Sequence, residues 1–318
     1  MHPIVSITRI LNEDDIVEAF VRHNAAHIHH MLFLDNGSTD ATLEILKSLQ
    51  TEGLPLTVFQ NPSVSFDEIA ANTWAYQLAS QIHQAEWVAF LDADEFIAAP
   101  APLATLLPAA DAMSISLLHH GQTGAENASQ IIVPLRLRWR LRTPAPVKKL
   151  IIRGGLGAEV LIEAGNHGAQ RAGQPVAAPL SPAVQLAHYP RRNGYQNLQK
   201  IAAGWLKVLA AGRAEPAAGR SQHYRSPFET LRDKPWELIA AAAYLDREID
   251  PALAEEAPLN YLGGPLKYWR ETDPAMKAVN GFLNFAESLA RQHGRLLDEA
   301  PGARALVETW HAKRDFLF

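Results

Sequence analysis

The sequence contains no cysteine, which removes disulfides, thiolate metal sites and cysteine nucleophiles together. Long apolar runs are also missing. A stretch such as LIAAAAYL at 238–245 is far short of the roughly 20 residues a membrane span needs. There is no basic surplus either: the formal charge is −5 and Lys and Arg are scattered, so a nucleic-acid partner is not expected. The opening MHPIVSITRILNEDD has no basic stretch followed by a long apolar core and reads as a first strand. A cytoplasmic protein without a transmembrane segment is therefore expected, with peripheral contact at the inner membrane face open to it. Internal repeats and low-complexity tails are absent. What is present is 318 residues with 47% apolar content, enough for one large domain or one domain with an appendage.

Through the first hundred residues a short apolar strand repeatedly precedes an amphipathic helix. Strands are predicted at 4–8, 28–34, 54–59 and 87–91, and helices at 14–25, 40–49 and 67–81, with Ser38, Asp40 and Ser65 as capping residues. Successive βαβ units imply an α/β fold whose mainly parallel sheet carries helices on both faces. Strand-like runs between 112 and 189 add further strands, some antiparallel. After Pro190 the pattern turns helical, near 194–211, 228–249, 276–293 and 304–313.

Open sheets of this type collect ligands beyond the carboxyl ends of their strands, next to helix N-termini. That locates the chemistry at Arg9, Asn12 and Glu13 after the first strand, Asp35–Asp40 after the second, Gln60 and Asn61 after the third, and Asp92–Glu95 after the fourth. The segment WVAFLDADEF carries the most information, because Asp92 and Asp94 can converge on one hard divalent cation of the Mg2+ or Mn2+ kind. Such a cation would bridge a nucleotide sugar's diphosphate and stabilise its departing charge. The plainer alternative is that these acids only end a strand. Asp35, in FLDNGSTD, can accept hydrogen bonds from a base or ribose, or can simply belong to a strand-turn-helix connection.

NEDDIVEAFVRH near the start, FLDNGSTDATLEIL after the second strand and WVAFLDADEFI after the fourth together resemble glycosyltransferase family 2. The DADEF spelling is also similar to glycosyltransferase family 92. The resemblance covers about residues 3–100, thins to 190 and is absent from the C-terminal helices. It implies a GT-A fold, a nucleotide-sugar donor, more readily UDP-linked than GDP-linked, and a requirement for Mn2+ or Mg2+. Residues 1–190 would form the GT-A domain, 1–100 its nucleotide-sugar-binding half and 101–190 its acceptor-side half, with a helical region at 191–318. It further implies that Asp92 and Asp94 hold the metal, with Asp92 also at the donor. Asp35 would lie by the base, and Thr8, Arg9, Asn12 and Glu13 in the first donor-contacting loop.

A further metal ligand is expected from His188 in LAHYP, with His167 in EAGNHG as the alternative. Lys148 or Lys149 can neutralise phosphate as a point charge, Lys148 being the one assigned to the donor. Arg191 and Arg192 can do the same beside His188. Transfer with inversion needs a general base. Glu95, Glu159 and Glu163 are the candidates, since the family's Glu-Asp pair has no convincing counterpart here. Trp205, Tyr224, Trp236, Tyr261, Tyr268, Trp269 and Trp310 offer faces for a sugar but are as readily core, and the segment 260–269 reads as a lid or a connection. The expected activity is transfer of a sugar to a hydroxyl of a glycan, lipid-linked or protein acceptor, in polysaccharide biosynthesis. The alternatives are a phosphotransferase of the haloacid dehalogenase kind and a non-catalytic nucleotide-sugar-binding protein. The former sets its DxD after the first strand rather than the fourth.

Overall fold

A computed structural model describes residues 3–61, 63–64, 67–124, 126–127, 129–212, 222–234 and 249–312, with residues 310–312 described by backbone alone. The apolar stretch at 238–245, the expected cap Ser65, Trp236 and the Trp310 side chain lie outside them. No described helix is long and apolar enough to cross a membrane.

The first four strands are β1 (Ile4–Ile10), β2 (His30–Asp35), β3 (Leu56–Gln60) and β4 (Trp87–Phe90). They pair in parallel in the order β3-β2-β1-β4. Between them run α1 (Val17–Asn24), α2 (Thr42–Glu52) and α3 (Glu68–Gln81). The pleat of the strands sorts the core into two layers. Ile4 and Ile10, Met31 and Phe33, and Trp87 and Ala89 face α1 and α2, where Val17, Phe20, Ile45 and Leu49 complete one cluster. The intervening Val5 and Ile7, Leu32, and Val88 and Phe90 face Ala75, Tyr76 and Ala79 of α3. This is the α/β sandwich expected from the alternating strand and helix patterns.

The sheet continues with β5 (Glu95–Ala98), β6 (Ala112–Gly121), the single-turn α4 (Val133–Arg136), β7 (Trp139–Leu141) and β8 (Lys148–Arg153). A separate three-stranded sheet is made by β9 (Val160–Ile162), β10 (Ala169–Arg171) and β11 (Gln174–Pro175). The strand β12 (Leu180–His188) runs parallel to β6 and antiparallel to β5, while β8 is antiparallel to both β4 and β6. The helices α5 (Gly194–Ala210) and α6 (Arg225–Asp233) follow, then β13 (Ala254–Glu256), α7 (Pro274–Glu299) and α8 (Pro301–Ala312). The region after 190 is thus not helix alone, since β13 adds an edge strand to β7. The expected helix at 228–249 is described only to Asp233. Caps differ as well. Asp67 accepts the Ala70 N–H at the start of α3, and Ser38 spends its hydroxyl on the Asn12 N–H instead of capping α2.

A chain of edge-to-face rings, Phe33–Phe20, Phe20–Phe96 and Phe96–Tyr189, crosses the core at centroid separations of 6.1, 6.0 and 5.3 Å. All four rings are fully buried, each burial stabilising by roughly 2–3 kcal/mol. Phe96 directly follows the DADE turn and Tyr189 directly follows His188, so the packing fixes where both segments stand.

Candidate functional site

The DADE turn joins β4 to β5 where the parallel strands end. The Glu95 N–H donates to the Asp92 carbonyl at 3.0 Å, and Glu95 Oε2 accepts the Asp92 N–H at 2.9 Å. Glu95 thereby clamps its own turn and is fully buried. Burial, only partly offset by Lys149, pushes its carboxyl up to about 7. On the neighbouring strand His188 is in register with Glu95 and, on its other side, with His119 of β6. This pairing sets His188 Nε2 3.4 Å from Asp94 Oδ1.

Three cations hold the acids. Lys149 Nζ stands 2.6 Å from Asp92 Oδ2 and 3.3 Å from Glu95 Oε1. Lys200 Nζ, from α5, is 2.8 Å from Asp94 Oδ2. Arg192 is wholly buried. Its Nε meets Asp15 Oδ2 at 2.7 Å, its Nη1 the Tyr189 carbonyl at 3.2 Å, and its Nη2 pairs with Glu13. Arg192 Nη1 also lies 3.6 Å from Asp94. Burial is the largest influence and works to raise both aspartates, but Lys149 and Arg9 together overcome it at Asp92, and Lys200, His188 and Arg192 together overcome it at Asp94, whose carboxyl falls well below the usual range. At Glu13 burial prevails over Arg192 and the carboxyl rises to about 7.

Five carboxylates (Glu13, Asp15, Asp92, Asp94 and Glu95) therefore face three cations. The acids outnumber the cations, and two carboxylates with an imidazole suit a divalent cation such as Mg2+ or Mn2+. His188 Nδ1 is buried without a hydrogen-bond partner. Among the described residues no three such side chains already form a cage. An ammonium stands at each acid of the pair instead.

The first two loops are laced together. Asn12, at φ 56°, accepts the Thr39 N–H at 2.7 Å, and the Glu13 N–H donates to Thr42 Oγ1 at 2.8 Å. Asp35 is fully buried, and its carboxylate accepts from the Gly37 and Ser38 N–H groups and from Gln60. Gly37 takes φ 92°, a conformation the turn demands and glycine adopts without strain. Asp35 thus builds the loop rather than presenting a free carboxylate. Thr8 is buried with an unpartnered hydroxyl, and Arg9 Nη2 meets Glu68 at 2.5 Å. Beside these loops a cleft of about 550 Å³ is lined by Asn12, Asp14, Asp40, Gln199 and Lys277. Neither acid of the pair lines it.

Several expected positions fall elsewhere. Lys148 is exposed and Lys149 is the lysine turned inward, because adjacent residues on β8 point to opposite faces. His167 is exposed and bonds the Lys148 carbonyl at 2.7 Å, so His188 alone of the two histidines touches the pair. None of the three base candidates is presented to an acceptor at this cluster. Glu95 is sealed in its clamp. Glu163 binds Gln170 at 3.0 Å, and exposed Glu159 lends its carbonyl to Ala172. Among the aromatics, Trp205 is core, Tyr261 stacks on His23 and Tyr268 bonds Glu52. The segment 260–269 is pinned on α1, where Glu18 accepts the Lys267, Tyr268 and Trp269 N–H groups. Lys200 and Arg192 are the partners sequence reasoning missed or undervalued. Lys200 lies roughly 100° around α5 from the buried stripe of Ile201, Trp205 and Val208, so helical periodicity gave no signal for it.

Residues 7–127 match the family model described as Glycosyl transferase family 2. That segment holds Thr8, Arg9, Asn12, Glu13, Asp35 and the DADE turn but ends before Lys149, His188, Arg192 and Lys200. Over that segment the α/β architecture agrees with the GT-A fold that the family 2 resemblance implies. Among solved structures, S. aureus TarS is 16% identical over 75% of this chain and 74% of that one, with a TM-score of 0.35. A mannosyltransferase from Pyrobaculum calidifontis, in complex with GDP-Man and Mn2+, is 17% identical over 77% and 74%, with a TM-score of 0.37. Glucosyl-3-phosphoglycerate synthase from Mycobacterium tuberculosis, in complex with Mn2+, UDP-glucose and phosphoglyceric acid, is 16% identical over 64% and 78%, at 0.35. No curated protein matches the chain.

Proposed function

We infer from the family 2 match that this chain is a glycosyltransferase, and from that premise we propose a metal-dependent enzyme of the DADEF-type branch. It moves a sugar from a UDP-linked donor to a hydroxyl of a glycan, lipid-linked or protein acceptor, with inversion, in the cytoplasm or at the inner membrane face. The carrying observation is the acid cluster where the loops after β1 and β4 meet, its five carboxylates within the family-matched segment and facing three cations from beyond it.

Asp92, Asp94 and His188 are the residues that would hold Mn2+ or Mg2+, and the bound cation would neutralise the donor's diphosphate as it leaves. Lys149 anchors Asp92, and Glu95 fixes the turn so that both aspartates keep their spacing. Arg192 holds Glu13 and Asp15, which orients the first loop toward the donor. The half-exposed Asp92 carboxylate supports a ligand role, because it is the acid of the pair that solvent still reaches. The acceptor's proton is left without an assigned carboxylate.

Calorimetric titration with UDP, GDP and UDP-sugars, each with Mn2+ and with chelator, tests the proposal. Mn2+-dependent binding of one nucleotide is expected. No binding with Mn2+ present overturns it, and binding without any transfer across an acceptor panel favours a nucleotide-sugar-binding protein.

A further inference from the structure

The three cations of the cluster are not equivalent. Arg192 has no exposed surface and is committed to Glu13, Asp15 and the Tyr189 carbonyl. The Lys149 side chain is 3% exposed and bridges Asp92 and Glu95. Both are part of the packing. Lys200 differs on each count: its side chain is 33% exposed, it comes from a helix outside the sheet, and its hydrogen bond is to Asp94 Oδ2 at 2.8 Å. Asp94 is itself only 2% exposed, so this ammonium stands between solvent and the deeper acid of the pair. The preceding residue, Gln199, lines the cleft beside the first two loops. One turn of α5 therefore borders the open cleft and also reaches the acid.

Resting on the metal-dependent reading above, we propose that Lys200 is an exchangeable counter-ion that occupies the cation's side of Asp94 in the free protein and moves to the donor's diphosphate once the metal is bound. A buried carboxylate cannot be left uncompensated, which explains why an ammonium sits there at all. A divalent cation held by Asp94 would repel that ammonium. Lysine is suited to the move, being a point charge on a flexible four-carbon stem with no fixed fork to satisfy. The nearest new anion would be the diphosphate that arrives with the metal. Lys200 would thus oppose metal binding before the donor comes and favour donor binding afterwards, two opposite effects that a merely structural lysine does not produce.

The test is calorimetry on the wild type, Lys200→Gln and Lys200→Arg, first with Mn2+ alone and then with UDP at saturating Mn2+. Glutamine removes the charge yet can still donate to Asp94, and arginine keeps the charge. Lys200→Gln is expected to bind Mn2+ roughly tenfold more tightly and UDP roughly tenfold more weakly, the scale of one charged hydrogen bond. Lys200→Arg, which keeps the charge but brings a rigid fork, should fall between Lys200→Gln and the wild type on both. If Lys200→Gln leaves both affinities unchanged, or if both variants shift alike, the exchange is overturned while the metal-dependent reading stands. Absence of Mn2+-dependent UDP binding in the wild type overturns that reading itself, before any variant is compared.

Discussion

At the scale of single residues the acid cluster makes two different demands, ligand binding and charge balance, and substitutions separate them. Asp94→Asn removes a proposed metal oxygen while keeping the shape, and transfer should fall by about 10²–10³-fold with loss of Mn2+-dependent UDP binding. An unchanged affinity in chelator-free buffer would remove Asp94 from the metal shell. Arg192→Ala should act on stability instead. It strands Glu13 and Asp15 in a buried setting, at a cost of about 3–5 kcal/mol in urea unfolding. Arg192→Lys should recover only part, since an ammonium cannot reproduce the guanidinium fork. These two behaviours also show what was legible in the sequence. The placement of Asp92 and Asp94 directly after an apolar strand was readable, while their metal role is the proposal that Asp94→Asn tests. The choice between Lys148 and Lys149 was not readable, because Leu150, Ile151 and Ile152 are all buried and hide the alternation that decides which lysine turns inward.

At the scale of elements, the first four strands and three helices were legible from periodicity, since each buries a continuous apolar face. The short strands β5, β7, β10, β11 and β13 span two to four residues and exist through their pairing partners, which no local pattern announces. The segment 260–269 is the same case in irregular form. Its composition fits a lid, yet what holds it is a carboxylate on α1. Glu18 is buried and accepts from Arg22 Nε at 2.9 Å and from the Lys267, Tyr268 and Trp269 N–H groups at 2.7, 2.9 and 3.0 Å. Glu18→Ala leaves those three backbone donors without an acceptor and should cost about 3 kcal/mol. Hydrogen exchange at 267–269 should accelerate while UDP affinity stays constant. Unchanged protection at those amides would show that the strap is held by Tyr261 and Tyr268 packing instead.

At the scale of the whole molecule, pH acts on opposed groups. Burial raises Glu13 from 4.5 to about 7 and Asp40 from 3.8 to about 6, so the contribution of each is complete below its ordinary value and is lost as pH rises through the raised one. Buried histidines work in the other sense. His23 joins three parts of the fold. Its Nε2 bonds the Ile97 carbonyl at 2.9 Å, its Nδ1 accepts the Leu262 N–H at 3.1 Å, and its ring stacks on Tyr261. With Nδ1 as acceptor the ring must be neutral, because a proton there would confront the Leu262 N–H. Burial, reinforced by neighbouring His27, lowers His23 from 6.5 to about 4. Its contribution is therefore complete above about pH 6.5 and is lost as pH falls toward 4, by at most roughly 3 kcal/mol. His23→Gln can keep both hydrogen bonds without titrating. Its stability relative to the wild type should then rise by about 2 kcal/mol between about pH 7 and pH 4.5, read from urea midpoints at each pH. Parallel curves for the two proteins across that range would mean that His23 takes up its proton in the folded state without strain, and that the acid sensitivity of the fold belongs to other histidines such as His119 and His120, which burial also lowers to about 4.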